Sequence, residues 1–150
     1  MSVTPTLLEI PIHRGASLVE DFERLFYPYE VEWVCGRWVK ACSGEPAPEA
    51  DAVPEDYTGC TAIAVLVPEL GSTQTIAVLS TANLRLILDG RHIRFRMSAA
   101  DTAALVYGDV PPAWTSCVAY VYVTRPNGTV EPQFFVTFTL SQGTPTEPPP

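Results

Sequence analysis

Basic charge, clustered metal ligands and long apolar runs are all scarce in this chain of 150 residues. Nine lysines and arginines stand against 17 acids, for a formal net charge of -8. That sign opposes a phosphate backbone, whose binding rests on Lys and Arg, so no nucleic-acid partner is expected. An anionic membrane surface is excluded on the same ground. No run approaches the roughly 20 apolar residues that a spanning helix needs. The N-terminus lacks the basic-then-apolar layout of a signal peptide, and the expectation is a protein made and folded in a cytoplasm.

Cysteine and histidine are equally sparse. Cys35, Cys42, Cys60 and Cys117 have no CxxC spacing and no histidine cluster beside them, which argues against a zinc site. Reduced, half-buried thiols are the expectation. Cys35 and Cys42 could face each other across a hairpin, but a disulfide there needs an oxidising setting. His13 and His92 each adjoin an arginine with no serine or cysteine nucleophile motif nearby, so both read as solvated. The acids Glu45, Glu49, Asp51 and Glu55 fall in a proline-rich stretch, a poor place to hold two carboxylates at fixed separation. They read as a solvated loop without EF-hand spacing. Glu20, Asp21 and Glu23 read as an exposed strand face. No enzyme activity, metal or cofactor is expected.

What is present is a core. Apolar residues make up 47% of the chain and charged ones 17%, which fits one globular domain. The strongest local signal runs from Asn83 to Leu105. Leu84, Leu86 and Leu88 alternate with Arg85, Ile87 and Asp89, Gly90 follows, and Ile93, Phe95 and Met97 alternate with Arg94, Arg96 and Ser98. Two period-2 runs around Asp-Gly predict a hairpin. With Asp89 and Gly90 as the loop, Leu86 opposes Ile93, Leu84 opposes Phe95, and Arg85 faces Arg94 on the outer side. Ser98-Ala99-Ala100-Asp101 then reads as the N-cap of a short helix.

The rest of the chain supplies further strands. Leu7 to Ile12 is the first, and Leu18 to Tyr27 the second, with Phe22 and Phe26 as core residues. Glu30 to Val34 and Arg37 to Ala41 form a hairpin around Cys35-Gly36 that carries Trp33 and Trp38; packing is the favoured reading of these tryptophans. Ala62 to Val67 predicts a strand buried on both faces, with Thr75 to Leu79 as its partner. Tyr107 to Pro112 is a turn-rich crossing. Val118 to Thr124 and Gln133 to Leu140 close the chain as a hairpin, with Phe134, Val136, Phe138 and Leu140 on one face. The domain reading is an N-terminal arm over 1–6, a β-sandwich over 7–142 with an acidic, proline-rich loop over 43–56, and a flexible tail over 143–150. Seven to nine strands with one short helix predict an all-β, immunoglobulin-like sandwich.

Several motifs, in order, resemble a family of small tailed-bacteriophage structural proteins. They are Leu8-Glu9-Ile10-Pro11 with Arg14-Gly15, then Asp56-Tyr57-Thr58-Gly59-Cys60-Thr61-Ala62, the strands around Asp89-Gly90, Ser98 to Leu105, and Tyr120-Val121-Tyr122 with Pro126 to Val130. The likeness covers most of Leu7 to Leu140. This chain departs from it at Tyr57, where leucine is usual, at Cys60, where tyrosine is usual, and in an insertion from Tyr29 to Asp56. The resemblance implies an immunoglobulin-like virion component of the tail or baseplate, assembled in the host bacterial cytoplasm beside other virion proteins in multiple copies. It brings no catalytic residues. Candidate partner contacts are Trp33 and Trp38 on their hairpin, and Arg85, Arg94 and Arg96 as a basic strip for an acidic neighbour. On that reading charge reversal at Arg94 spares folding and weakens incorporation. Capsid decoration is one alternative; a carbohydrate-binding module with Trp33 and Trp38 as its platform is another.

Overall fold

The structure, a computed structural model, describes residues 5–105 and 114–141. The expected arm before Pro5, the Tyr107–Pro112 crossing and the tail over 143–150 lie outside these residues. Among the described residues the chain is all-β apart from one α-helix and a 3-10 turn. In order come β1 (Thr6–His13), β2 (Leu18–Glu23), β3 (Leu25–Phe26), β4 (Val31–Val34), β5 (Arg37–Lys40), β6 (Val53–Pro54), β7 (Thr61–Leu66) and β8 (Ala77–Ser80). They are followed by β9 (Leu86–Asp89), β10 (His92–Met97), α1 (Ala99–Ala103), β11 (Trp114–Thr124) and β12 (Val130–Ser141). The first strand thus begins at Thr6, inside the segment expected to be an arm.

Eight of these strands build two sheets. One has the order β1-β12-β11-β7-β8 and the other β2-β10-β9. The first strand lies parallel to the last, Ile10 beside Phe138, and the remaining neighbours are antiparallel. Alternation explains which faces meet. Phe134, Val136, Phe138 and Leu140 of β12 point inward with Cys117, Ala119, Val121 and Val123 of β11, as the period-2 pattern requires. Ile93, Phe95 and Met97 of β10 come to them from the other sheet in a single core. The Phe95 ring stands edge-on to Phe138 at 6.4 Å and to Phe22 at 5.7 Å, tying the two layers together.

The predicted helix forms as its cap dictates. Ser98 Oγ accepts from the Asp101 backbone N–H at 3.1 Å. Thr102, fully buried beneath it, donates to the Ala16 carbonyl at 2.8 Å and accepts from the Gly15 amide at 3.0 Å. The helix is thereby fastened to the turn between β1 and β2.

Four expectations are corrected by local chemistry. The loop of the β9–β10 hairpin is Gly90-Arg91, so Leu88 opposes Ile93 and Leu86 opposes Phe95. Gly90 takes φ +59, as the first loop position of a Gly-X turn demands, and the register moves by two from the Asp-Gly expectation. Leu84 does not reach Phe95. Asn83 accepts from the Ser80 and Arg85 amides, both at 3.0 Å, and forms a turn that throws Leu84 out to solvent with φ +64. Strand β7 alternates instead of being buried on both faces, with Ile63 and Val65 outward. Finally, the second strand breaks at Arg24, and Phe26 sits outside the core while Phe22 packs against it.

The long insertion is also structured in part. Its two ribbons, β4–β5 and β3–β6, are separate from the main sheets. The loop after β5 folds back on it, with the Ala47 amide donating to the Trp38 carbonyl at 3.0 Å and the Lys40 amide to the Glu45 carbonyl at 2.8 Å.

Candidate functional site

The motif Asp56-Tyr57-Thr58-Gly59 is the entry to the site. Asp56 Oδ1 accepts from the Thr58 amide at 3.0 Å and its hydroxyl at 2.7 Å, making a tight turn. The Thr58 hydroxyl and amide hold the Asp56 carboxyl below its usual value. Gly59 has φ +77, which favours glycine, and Pro126 lies 3.0 Å from where a Cβ would stand, a tight contact that a side chain would have to push aside. Tyr57, turned inward by this turn, donates its hydroxyl to Gln133 Oε1 at 2.8 Å. Burial, and then the nearby Glu55 charge, push the Tyr57 phenol well above its ordinary range.

Gln133 is delivered by an irregularity. Tyr120 opposes Phe135 and Val121 opposes Phe134, but Tyr122 opposes Pro132, so Gln133 is the extra residue of a β-bulge. The bulge turns both Gln133 and Phe134 inward and tolerates a proline that a regular central strand would not. Gln133 Nε2 then donates to Glu131 at 3.0 Å and to Glu55 at 3.3 Å.

Glu55 is the centre of this network. It is 5% exposed, where a solvated loop acid was expected. Arg24 Nη1 lies 2.9 Å from its Oε1 and Arg125 Nη2 2.6 Å from its Oε2. Arg125 Nε also meets Glu131 at 2.9 Å. Burial alone would lower the Arg125 value, but the bonds to Glu55 and Glu131 more than offset it and hold the guanidinium charged. Period-2 spacing from Val53 through Glu55 to Tyr57 was the available signal: it puts Glu55 on the same side as the buried tyrosine. The partners, 31 and 70 residues away, left no local sign.

Above the network lies a cleft of about 700 Å3 between the insertion and the turn end of the β11–β12 hairpin. It is lined by the charged Arg24, Arg125, Glu55 and Glu131 and by the aromatic Tyr27, Tyr29 and Trp38. The two tyrosine rings stack at 5.7 Å. Tyr29 donates to Asp51 Oδ2 at 2.8 Å, and Lys40 Nζ sits 5.1 Å over its ring. Desolvation and the Asp51 contact push the Tyr29 phenol up to about 12.

The expected contact residues divide. Trp33 and Trp38 oppose each other on the β4–β5 ribbon, edge to face at 5.0 Å, and remain 60% and 42% exposed. Packing was the favoured reading, and the ribbon shows why it fails. Two strands can bury one face, and this one buries the Val39 side under the folded-back loop. Arg85, Arg94 and Arg96 lie on the outer side of the smaller sheet, but Arg85 does not face Arg94. Arg94 meets Asp21 at 2.8 Å and Asp89 at 2.9 Å, Arg96 meets Asp21 at 2.7 Å, and Arg85 meets Asp101 at 3.3 Å. Each arginine of the strip is thus already paired with an acid of this chain. His92 joins Glu23 at 3.0 Å.

Among the described residues no group of three or more His, Cys, Asp or Glu side chains is arranged to hold a metal ion. All four thiols are free, Cys35 and Cys42 exposed and Cys117 buried. No family model matches this chain, and no curated protein is significantly similar to it in sequence.

Proposed function

We propose that this chain is a non-enzymatic structural protein of a tailed-bacteriophage particle, working by protein contacts in the tail or baseplate. The described residues are all-β, as such a domain requires. We read the order β1-β12-β11-β7-β8 with β2-β10-β9 as an immunoglobulin-like sandwich, a GFC sheet extended by C′ and a BED sheet. The insertion occupies the connection between the second and third of those strands. Such a fold hosts many functions, so the particle assignment rests on the resemblance of the ordered motifs.

Contact through surfaces is carried by one observation, the tryptophan ribbon. Trp33 and Trp38 oppose each other on one face of the β4–β5 ribbon and together present large apolar side chains to solvent. Clustered exposed aromatics of this kind mark interaction sites, where they supply large contact area at low entropic cost. The test is quantitative mass spectrometry of purified particles of the phage that encodes the chain, split into capsid and tail fractions and compared with lysate. Enrichment in tails at a few to tens of copies supports the reading. Hundreds of copies in capsids replace it with decoration, and absence from every particle fraction overturns it.

A further inference from the structure

We infer that the cleft between the insertion and the closing hairpin is a binding site for a neutral oligosaccharide. The inference stands apart from the particle assignment, since it concerns what enters the cleft and not where the protein resides.

Charge on the floor is the first step. Two guanidiniums, Arg24 and Arg125, face two carboxylates, Glu55 and Glu131, and each carboxylate is already in contact with a guanidinium at 2.6 to 2.9 Å. A buried ionic network of this kind is poor evidence for stability, because desolvation offsets much of its attraction. It does give a polar surface whose hydrogen-bonding groups are fixed in place before any ligand arrives. An anion entering here meets Glu55, Glu131 and Glu30, which also lines the cleft. A cation meets two arginines whose acids are already taken. A ligand with hydroxyl groups and no charge can bond to the part-exposed Arg125 and Glu131 without breaking their bridge.

The aromatic lining is the second step. Trp38, Tyr27 and Tyr29 line the same cleft, and their positions are set by independent contacts. Tyr27 donates to the Ala47 carbonyl at 3.3 Å, Tyr29 to Asp51, and Trp38 belongs to a paired strand. Apolar faces with hydroxyl edges are the chemistry of a pyranose ring, which stacks on aromatics and turns its hydroxyls to a polar floor. The volume is in the range of sites that enclose small molecules.

This site differs from a surface platform of Trp33 and Trp38, because Trp33 does not line the cleft. That difference makes the test. Full-length protein is titrated with neutral gluco-, xylo-, manno- and chito-oligosaccharides up to millimolar concentration, by calorimetry and by the chemical shifts of the tryptophan indole N–H groups. Saturable binding of at least one series is expected. Trp38→Ala and Tyr29→Phe separate the wall from its fixing bond, the first weakening binding by about tenfold and the second by less. Trp33→Ala leaves affinity within about twofold. Circular dichroism confirms that each variant is folded. No saturation by any series overturns the inference. Equal losses in Trp33→Ala and Trp38→Ala overturn the cleft in favour of the exposed platform, and saturable binding of an arginine-rich peptide in place of sugar overturns the ligand class.

Discussion

Arg125 and Glu55, 70 residues apart in sequence, meet at 2.6 Å, and Arg24 meets the other oxygen of the same carboxylate at 2.9 Å. The carboxylate is thus the joint between the insertion, the β2–β3 break and the closing hairpin. Glu55→Gln leaves two guanidiniums facing a neutral amide in a buried place. Removing one member of a buried ionic group costs about 3–5 kcal/mol. Glu49→Gln, in the same acidic stretch but exposed, is expected to change stability by less than about 0.5 kcal/mol. Urea denaturation of the two variants checks the contrast; similar midpoints would mean that Glu55 is solvated after all.

Acid is expected to weaken the fold from the outer face of the smaller sheet. The hydrogen bond from Arg96, with attraction from Arg96 and Arg94, holds the Asp21 carboxyl below its ordinary value of 3.8. A depressed folded value means that the stabilisation is complete above the unfolded value and is lost as pH falls through the folded one. Asp56 adds to the same trend through its bonds from Thr58. The stability advantage of the native chain over Asp21→Asn is therefore full near neutrality and shrinks below about pH 4. Denaturation series at several pH values test this, and an advantage that grows on acidification would reverse the sign argued here.

How much of this was legible can be judged residue by residue. The closing hairpin was, because Phe134, Val136, Phe138 and Leu140 repeat with period two and nothing competes with that pattern. The helix cap was, because Ser98 and Asp101 act within one turn. Register at Gly90 was not. Asp89-Gly90 and Gly90-Arg91 are both acceptable loops, and Asn83, whose side chain ends the preceding strand, decides between them by removing Leu84 from the ladder. The network at Glu55 was hidden for a different reason. A bulge, a proline-rich approach and two distant arginines are each unremarkable alone, and only the tertiary fold brings them together.

Thiol reactivity should follow burial. Desolvation pushes the Cys117 thiol up to about 12, leaving almost no thiolate at neutral pH, and its position in β11 is closed to reagents. Cys35 at the hairpin tip and Cys42 just after β5 are exposed. Under native conditions an alkylating reagent is expected to label these two first and Cys117 only when the protein unfolds. Peptide mapping of a labelling time course distinguishes the sites; early modification of Cys117 would show that the two-sheet core opens readily.

Leu84 offers a test of the turn that sets the central register. Its φ of +64 lies in the left-handed region, and its side chain is 71% exposed, so it gains little in return for the strain. For an L residue that conformation costs roughly 1–2 kcal/mol, which glycine avoids. Glycine also loosens the unfolded chain, at a cost of about 0.5–1 kcal/mol. The expected balance for Leu84→Gly is a net gain of up to about 1.5 kcal/mol, by the difference of those two effects. Leu84→Ala keeps the Cβ and with it the strain, so no gain is expected from it. Thermal unfolding of both variants decides the matter. A gain in glycine alone supports a fixed left-handed residue after Asn83, whereas equal behaviour would mean that the turn relaxes and that the β9–β10 register is held by its side chains.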